Sequence, residues 1–173
     1  TGAVSLNGVI SGDSVTSTAS LVGPTYSTSG NLSAGSYAQS AGSLGGADAG
    51  NYTLTAYTTP TNNYSVGQLA LTGSILAGDK VYDSTTAAII SSRSLSGVIV
   101  GDSVSYVGGI ANFSDKNVGA AKTVTGSGLG LSGADAGNYT VNSVASTTAS
   151  ITPAPLTLNA VSDTKVYDGT TGS

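Results

Sequence analysis

Three sequence blocks occur twice in this chain of 173 residues, in the same order and at nearly the same spacing. The paired blocks are residues 5–15 and 94–104, residues 46–53 and 133–140, and residues 80–86 and 165–171. The offsets of 89, 87 and 85 residues exceed the period of a solenoid coil, which is about 20–45 residues. They suit a small independent β domain instead. We therefore expect tandem modules of about 87 residues.

Two prolines, Pro153 and Pro155, indicate a junction between modules, because proline removes a backbone donor and ends a strand ladder. A cut there gives an incomplete first module at residues 1–67, a complete module at 68–154 and the beginning of a third at 155–173. The third piece carries the segment that the first piece lacks. Either the chain is a stretch of a longer array, or the last segment of one copy inserts into the incomplete module of the next. The second alternative is donor-strand complementation, and it builds an open fibre.

Alternating apolar residues and frequent glycine and serine indicate the fold class. Valine, isoleucine and tyrosine recur at every second position of short segments, which is typical of strands. Glycine and serine disfavour helices, and a net charge of only −4 does not favour disorder. We therefore expect an all-β protein of tandem antiparallel β-sandwich-like modules with little helix. The predicted strands are residues 68–75, 80–82, 87–90, 98–100, 103–107, 111–113, 122–125, 139–145 and 149–152, with 15–21 and 52–57 in the first module.

The repeated blocks also carry residues that are typical of tight turns. Asp135 suits an Asx turn, and Gly137 suits a positive φ. Asp168 and Gly169 form a strong tight-turn pair. Since Ser84 replaces that glycine in the other copy, we expect a different type of turn there.

Composition excludes several classes of function. Without cysteine or histidine the chain has no disulfide framework, thiol nucleophile, zinc site or imidazole base. Five basic residues against nine acidic ones do not neutralise a run of phosphates, so we expect no nucleic-acid binding. No apolar run approaches the roughly 18 residues that cross a bilayer, so we expect no membrane insertion. No nucleophile–base pair is visible either, so we predict that the chain is not an enzyme and assign no catalytic, cofactor-binding or metal-binding residue.

Three blocks in register resemble a known family. These are residues 165–171 with their Tyr-Asp-Gly, residues 113–119 (FSDKNVG) and residues 132–140 (SGADAGNYT). Together they resemble the YDG repeat of large secreted bacterial adhesins of the filamentous-haemagglutinin type. The resemblance implies two-partner secretion and an extracellular location on the bacterial cell surface. It also implies repeats stacked as a stalk, and it supplies no catalytic residues. The first module departs from the pattern, because it has no Asp-Lys-Asn-Val-Gly block between Ser20 and Gly45.

We therefore expect a structural repeat, a stalk or fibre-forming segment of an adhesin, of the kind found in surface filaments and biofilms. Its expected partners are neighbouring repeats, with head-to-tail self-association as a further possibility. The alternative is a module that itself binds a carbohydrate or a matrix protein.

The tyrosines discriminate between these two functions. In a core with a single phenylalanine and no tryptophan, Tyr82, Tyr139 and Tyr167 are expected to bury their rings and to hydrogen-bond backbone groups. Several exposed tyrosines on one face would instead favour sugar stacking. The candidates for such a platform are Tyr26, Tyr37, Tyr57, Tyr64 and Tyr106.

Three modifications or ligands deserve weighing against ordinary turn chemistry. Aspartates in turns suggest calcium, although each turn offers a single carboxylate, so an Asx-turn role is favoured. These aspartates are Asp13, Asp48, Asp102, Asp135 and Asp163. An internal crosslink would join Lys80 or Lys165 to Asn51 or Asn138. The simpler interpretation is that these lysines are exposed at the ends of strands. Glycosylation is suggested by N-x-Ser/Thr acceptor patterns, which begin at Asn31, Asn51, Asn63, Asn112 and Asn138. In a chain rich in serine, threonine and asparagine such matches also arise by chance.

Overall fold

A computed structural model describes residues 5–171 of the chain. We call residues 5–67 the first half, 68–152 the second half and 153–171 the tail. The described part contains strands and two short 3-10 turns, Ala49–Asn51 and Ala136–Asn138. The strands are β1 Thr16–Leu21, β2 Gly35–Tyr37, β3 Gln39–Gly45, β4 Tyr64–Val66, β5 Leu69–Ala77, β6 Lys80–Val81, β7 Ala87–Ala88, β8 Ile90–Ser96, β9 Ser105–Phe113, β10 Gly119–Ser132, β11 Tyr139–Val141 and β12 Val144–Thr152. The all-β prediction with little helix is confirmed.

The second half contains two sheets. The larger has the strand order β6-β12-β10-β9-β7, and the smaller has the order β11-β5-β8. Most neighbouring strands are antiparallel, but β5 pairs with β11, and β6 with β12, in parallel. The prediction of antiparallel modules did not include these two parallel pairs. They arise because β5 and β6 begin the second half, β11 and β12 end it, and the two segments lie side by side and run in the same direction.

The core lies in the second half. One cluster is formed around Phe113, Val124 and Ile151, and another around Ile75 and Tyr106. Alternate residues of β5 are buried, as expected for a strand with one face on a core. The first half has two antiparallel pairs, β1 with β3 and β2 with β4.

Two predicted strands are not formed. Residues 98–100 lie in a turn in which the Asp102 amide donates to the Ile99 carbonyl at 3.1 Å, with Gly101 at φ +94°. Residues 52–57 form no strand, because the described first half has no counterpart of β5, the strand with which the equivalent β11 pairs. Conversely, the prediction missed most of β8 and the second part of β10, where small polar residues hide the alternation.

The turn predictions require three corrections. Gly133, not Gly137, has the positive φ, at +120°. Asp135 bonds distant backbone rather than its own turn. Ser84 adopts φ +69°, almost the +70° of Gly169, so the two loops have the same type of turn despite the substitution.

Candidate functional site

The repeated GADAGNYT block builds the same carboxylate turn in both halves. The Asp135 Oδ2 accepts a hydrogen bond from the Ser103 amide at 2.7 Å, and the Asp48 Oδ2 accepts one from the Ser14 amide at 2.8 Å. An ideal Cβ on Gly133 would lie 2.3 Å from the Ser103 carbonyl oxygen, so this position requires glycine. The block therefore fixes a carboxylate against the turn that the SGDSV block forms.

A tyrosine and an aspartate from the two blocks join in each half. The Tyr139 hydroxyl donates to Asp102 Oδ2 at 2.5 Å, and the Tyr52 hydroxyl donates to Asp13 Oδ2 at 2.7 Å. Burial, together with the hydrogen bond to Asp102, raises the pKa of Tyr139. The pKa of Tyr52 is also raised, chiefly by its bond to Asp13. Each hydrogen bond thus links the aspartate of the SGDSV block to the tyrosine of the GADAGNYT block.

Only in the second half do these carboxylates receive a loop from elsewhere in the described chain. The Thr28 amide donates to Asp135 Oδ1 at 2.9 Å, and the Thr28 hydroxyl donates to the other oxygen of the same carboxylate. The Ser29 hydroxyl donates to Asp102 Oδ1 at 2.5 Å. The Ala34 amide donates to the Asn138 side chain at 2.8 Å. We call this contact the junction, since it fastens the first half to the second.

Hydrogen bonding favours the charged form of both junction aspartates. The pKa of Asp135 is lowered, first by the Thr28 hydroxyl and then by the Ser103 amide. The pKa of Asp102 is lowered by the hydroxyls of Ser29 and Tyr139. These oxygens point at O–H and N–H donors, so the geometry accounts for the two carboxylates without a cation. Among residues 5–171 no group of three or more carboxylate, histidine or cysteine side chains surrounds a common point.

In both KVYD loops the lysine ammonium lies within 3.0 Å of the loop aspartate, Asp83 or Asp168. The Lys80 ammonium donates to Asp83 at 2.8 Å and to the carbonyl oxygens of Thr85 and Ala87. The Lys80 bond, followed by the Thr85 amide, lowers the pKa of Asp83 to about 2. Since Asn138 is bonded at the junction instead, the structure places these two partners of the suggested crosslink in separate networks.

An open groove lies in the first half. Its volume is about 500 Å³. Its walls include residues 5–7, Ala19, Gln39 and Leu54. The groove lies in the module that the repeats predicted to be incomplete, but sequence reasoning gave no signal for the Thr28 and Ser29 contacts, because these join residues far apart in sequence.

The tyrosines divide between core and surface. Tyr139 is buried as predicted, and Tyr82 packs partly buried against the core, but the expected burial of Tyr167 is wrong, since it lies exposed in the tail. Of the platform candidates, Tyr37 and Tyr106 are buried. Tyr26 and Tyr57 are exposed.

A family model described as the YDG domain matches residues 63–149, half of the chain. No curated protein and no solved structure matches the chain. Between residues 5 and 171 no helix has the length and apolarity needed to cross a membrane.

Proposed function

The chain belongs to the YDG domain family, and from that premise we propose that it is a tension-bearing spacer of an extracellular bacterial adhesin. In this role the domain extends the parent protein from the cell surface and transmits force without binding a ligand itself. The single observation that carries the proposal is the parallel course of the segments through which the chain enters and leaves the second half.

The entering segment is β5 and β6, and the leaving segment is β11 and β12. Leu69 is level with Tyr139 at one end, and Val81 is level with Thr152 at the other. Such an extended path of 13 residues spans about 40 Å. Pulling on the two ends of this half therefore loads the segments in opposite directions along their length, which is shear.

Hydrogen bonds join these segments along their path. The Gly73 amide donates to Asn142 Oδ1 at 2.7 Å, and the Asn142 amide group donates back to the Gly73 carbonyl at 3.0 Å. Near the other end, the Tyr82 amide donates to the Thr152 carbonyl at 2.8 Å. In shear these bonds must break together, whereas peeling breaks them one at a time. The arrangement thus suits a domain that resists extension.

Composition is consistent with the location and with secretion by a partner protein in the outer membrane. The absence of cysteine removes disulfides that would obstruct the passage of an unfolded chain, and five basic residues give trypsin-like proteases few sites. Antibodies raised against the chain should label intact source cells. Labelling that requires lysed cells would contradict the extracellular assignment.

Single-molecule pulling tests the spacer role. The chain has no native cysteine, so handles can be attached at introduced ones. Handles at Gly67→Cys and Ala154→Cys load β5 and β12 in shear. Handles at Gly67→Cys and Gly137→Cys peel β5 from β11, and an added Cβ meets no atom within 4 Å at either glycine. We expect the shear geometry to require a several-fold higher force, and equal forces would overturn the proposal.

The alternative function is a binding module for a glycan or a matrix protein, favoured by the exposure of Tyr26 and Tyr57. A panel of immobilised glycans, extracellular polysaccharides and matrix proteins separates the two functions. The spacer role predicts no binding. Saturable binding that a Tyr26→Ala, Tyr57→Ala variant loses would establish the alternative.

A further inference from the structure

The entering and leaving segments of the second half are joined by two short ladders with a break between them. Tyr139–Val141 pair with residues 69–71 at one end, and residues 151–152 pair with Lys80–Val81 at the other. Between these ladders, in a stretch that the structure describes throughout, residues 72–79 and 142–150 form no backbone pair with each other. We call this stretch the seam.

A change of register accounts for the seam. The paired residues are 70 positions apart at Leu71 and Val141 but 71 positions apart at Lys80 and Ile151. The leaving segment thus contains one residue more than the entering segment between the two ladders. Since a parallel ladder needs evenly spaced bonds, it cannot run unbroken through the seam. The backbone groups that face the seam therefore need other partners.

The Asn142 side chain takes the place of a backbone unit at the first end of the seam. Its Oδ1 accepts a hydrogen bond from the Gly73 amide at 2.7 Å, and its Nδ2 donates to the Gly73 carbonyl at 3.0 Å. A side-chain amide has a carbonyl acceptor and N–H donors, as a peptide group has. Because Gly73 is buried, water is a poor alternative for its two backbone groups. Asn142 therefore continues the ladder beyond Val141.

Contacts with the core hold this side-chain amide in position. The Tyr106 hydroxyl donates to the Asn142 main-chain carbonyl at 2.7 Å and accepts a bond from Asn142 Nδ2 at 3.2 Å. The same nitrogen donates to the Val144 carbonyl at 2.8 Å. Tyr106 is itself buried in the cluster that contains Ile75. The core thus fixes the orientation of Asn142, although Asn142 lies exposed at the surface.

Asp79 bridges the other end of the seam. Its Oδ1 accepts a hydrogen bond from the Ser150 amide at 2.6 Å. Both residues directly precede the first pair of the second ladder, Lys80 with Ile151. The carboxylate therefore accepts the bond that a backbone carbonyl accepts in an uninterrupted ladder. At each end of the seam, a side chain of one segment bonds the backbone of the other.

We propose that Asn142 is a mechanical latch: its side chain carries load across the seam, and Asp79 supports it at the other end. Pulling in shear loads the bonds between the two segments together, so each added bond raises the force that separates them. Without the latch, the resistance to shear rests on two short ladders alone. The inference rests on the proposed spacer role, because it assigns the side chains through which the second half resists extension.

Pulling with the two pairs of handles described above tests the latch. Asn142→Leu replaces the amide by an apolar side chain of similar size, and because Asn142 is exposed both core clusters remain intact. We expect this variant to lose most of the difference between the shear force and the peeling force, with the peeling force unchanged. A general loss of stability would instead lower both forces.

Variants of two other exposed residues control the experiment. Asn112→Leu makes the same substitution in β9, away from the seam, and should leave both forces unchanged. Asp79→Ala removes the acceptor of the Ser150 amide, whereas Asp79→Asn keeps an acceptor oxygen. We therefore expect Asp79→Ala to lower the shear force more than Asp79→Asn does.

Hydrogen exchange tests the latch in the absence of force. The Gly73 amide donates to Asn142 Oδ1, so Asn142→Leu should accelerate its exchange about tenfold or more. Asn142→Asp keeps an acceptor for this amide and should accelerate its exchange less. Amides of β10, which lies outside the seam, should exchange at the rate of the unmodified chain.

Three results would overturn the latch. They are a shear force that Asn142→Leu does not lower, an equal fall of the shear and peeling forces, and unchanged exchange of the Gly73 amide. In the first case the shear force still exceeds the peeling force, so the latch fails while the spacer role stands. Equal shear and peeling forces in the unmodified chain would overturn the spacer role itself, which makes the two failures distinguishable.

Discussion

Ser84 adopts a backbone conformation that side chains disfavour. Its φ of +69° is left-handed, and the equivalent residue of the other KVYD loop is Gly169, at +70°. The turn persists because Asp83 Oδ1 accepts bonds from both the amide and the hydroxyl of Thr85 at 2.9 Å. Asp168 makes the same two bonds to Thr170. The aspartate and threonine thus fix the turn, and the glycine only removes strain from it.

Ser84→Gly should therefore stabilise the chain. A residue with a Cβ in the left-handed region costs about 1–2 kcal/mol, part of which is offset by the greater entropy of unfolded glycine. We expect a gain of about 1 kcal/mol in the free energy of unfolding, measured by urea denaturation. Ser84→Ala keeps the Cβ and serves as the control. If both variants gain equally, loss of the serine hydroxyl is the cause and the argument from φ is wrong.

The junction aspartates make stability depend on pH. The pKa of both Asp102 and Asp135 is lowered by hydrogen bonds that exist only in the folded state. Their stabilisation is therefore present above the ordinary pKa of 3.8 and is lost as the pH falls through the lower folded pKa.

Melting temperatures measured in steps from pH 7 to pH 2 should thus stay level to about pH 5 and fall below pH 4. Asp135→Asn should lower the melting temperature at pH 7 and flatten the acid part of the profile, because the amide cannot accept all the bonds that the carboxylate accepts. If the melting temperature of Asp135→Asn falls as steeply in acid as that of the unmodified chain, carboxylates other than Asp135 cause the loss of stability.

At the scale of elements, β5 is held by close contact between a glycine and a ring. Gly73→Ala would place a Cβ 2.4 Å from the Tyr106 ring. We expect a loss of about 1–3 kcal/mol, as for an overpacked core. Gly130→Ala in β10 is the matched control, since an added Cβ there meets no atom within 4 Å. The two substitutions are compared by chemical denaturation.

A double-mutant cycle isolates the contact. Tyr106→Ala removes the ring and should cost about 3–5 kcal/mol by itself. In that background Gly73→Ala should cost little, so the two changes should not be additive. Full additivity would mean that β5 responds to the alanine through its backbone and not through Tyr106.

The fold was predictable to different degrees along the chain. Strands with clear alternation, such as β1 and β5, lie within a few residues of their predicted bounds, because buried alternate residues are visible in sequence. The strand β8 was largely missed, since its serines and Arg93 show no apolar face. The predicted strand at residues 98–100 fails because flanking glycines at 97 and 101, both with positive φ, favour a turn over the valines.

The candidate sites were less accessible to sequence reasoning. The repeats identified the turns that carry Asp102 and Asp135, yet the loop that bonds them, at Thr28 and Ser29, has no distinctive motif. The repeats predicted an incomplete first module, but they did not identify the residues that line its groove. Partner loops and groove linings depend on tertiary geometry, which local propensity does not encode.

For the whole molecule, the two halves differ in how much apolar surface they bury. The clusters around Val124 and Ile151, both at most 1% exposed, lie in the second half, whereas the described first half buries only Ala19 and Tyr37 among its hydrophobic residues. Local opening requires less free energy where fewer apolar contacts are broken. The first half should therefore open separately, with the junction as its principal attachment to a more stable second half.

Hydrogen exchange measured along the chain tests this hierarchy. Amides of β9, β10 and β12 should exchange about a hundredfold more slowly than those of β1 and β3. Thr28→Val, which removes the hydroxyl that donates to Asp135, should accelerate exchange in β1 and β3 while leaving β10 unchanged. Thr18→Val is a control threonine in β1, away from the junction bonds. If Thr28→Val accelerates amide exchange equally in both halves, the molecule opens as a single cooperative unit. The junction would then transmit the loss of the Thr28 hydrogen bond to the second half.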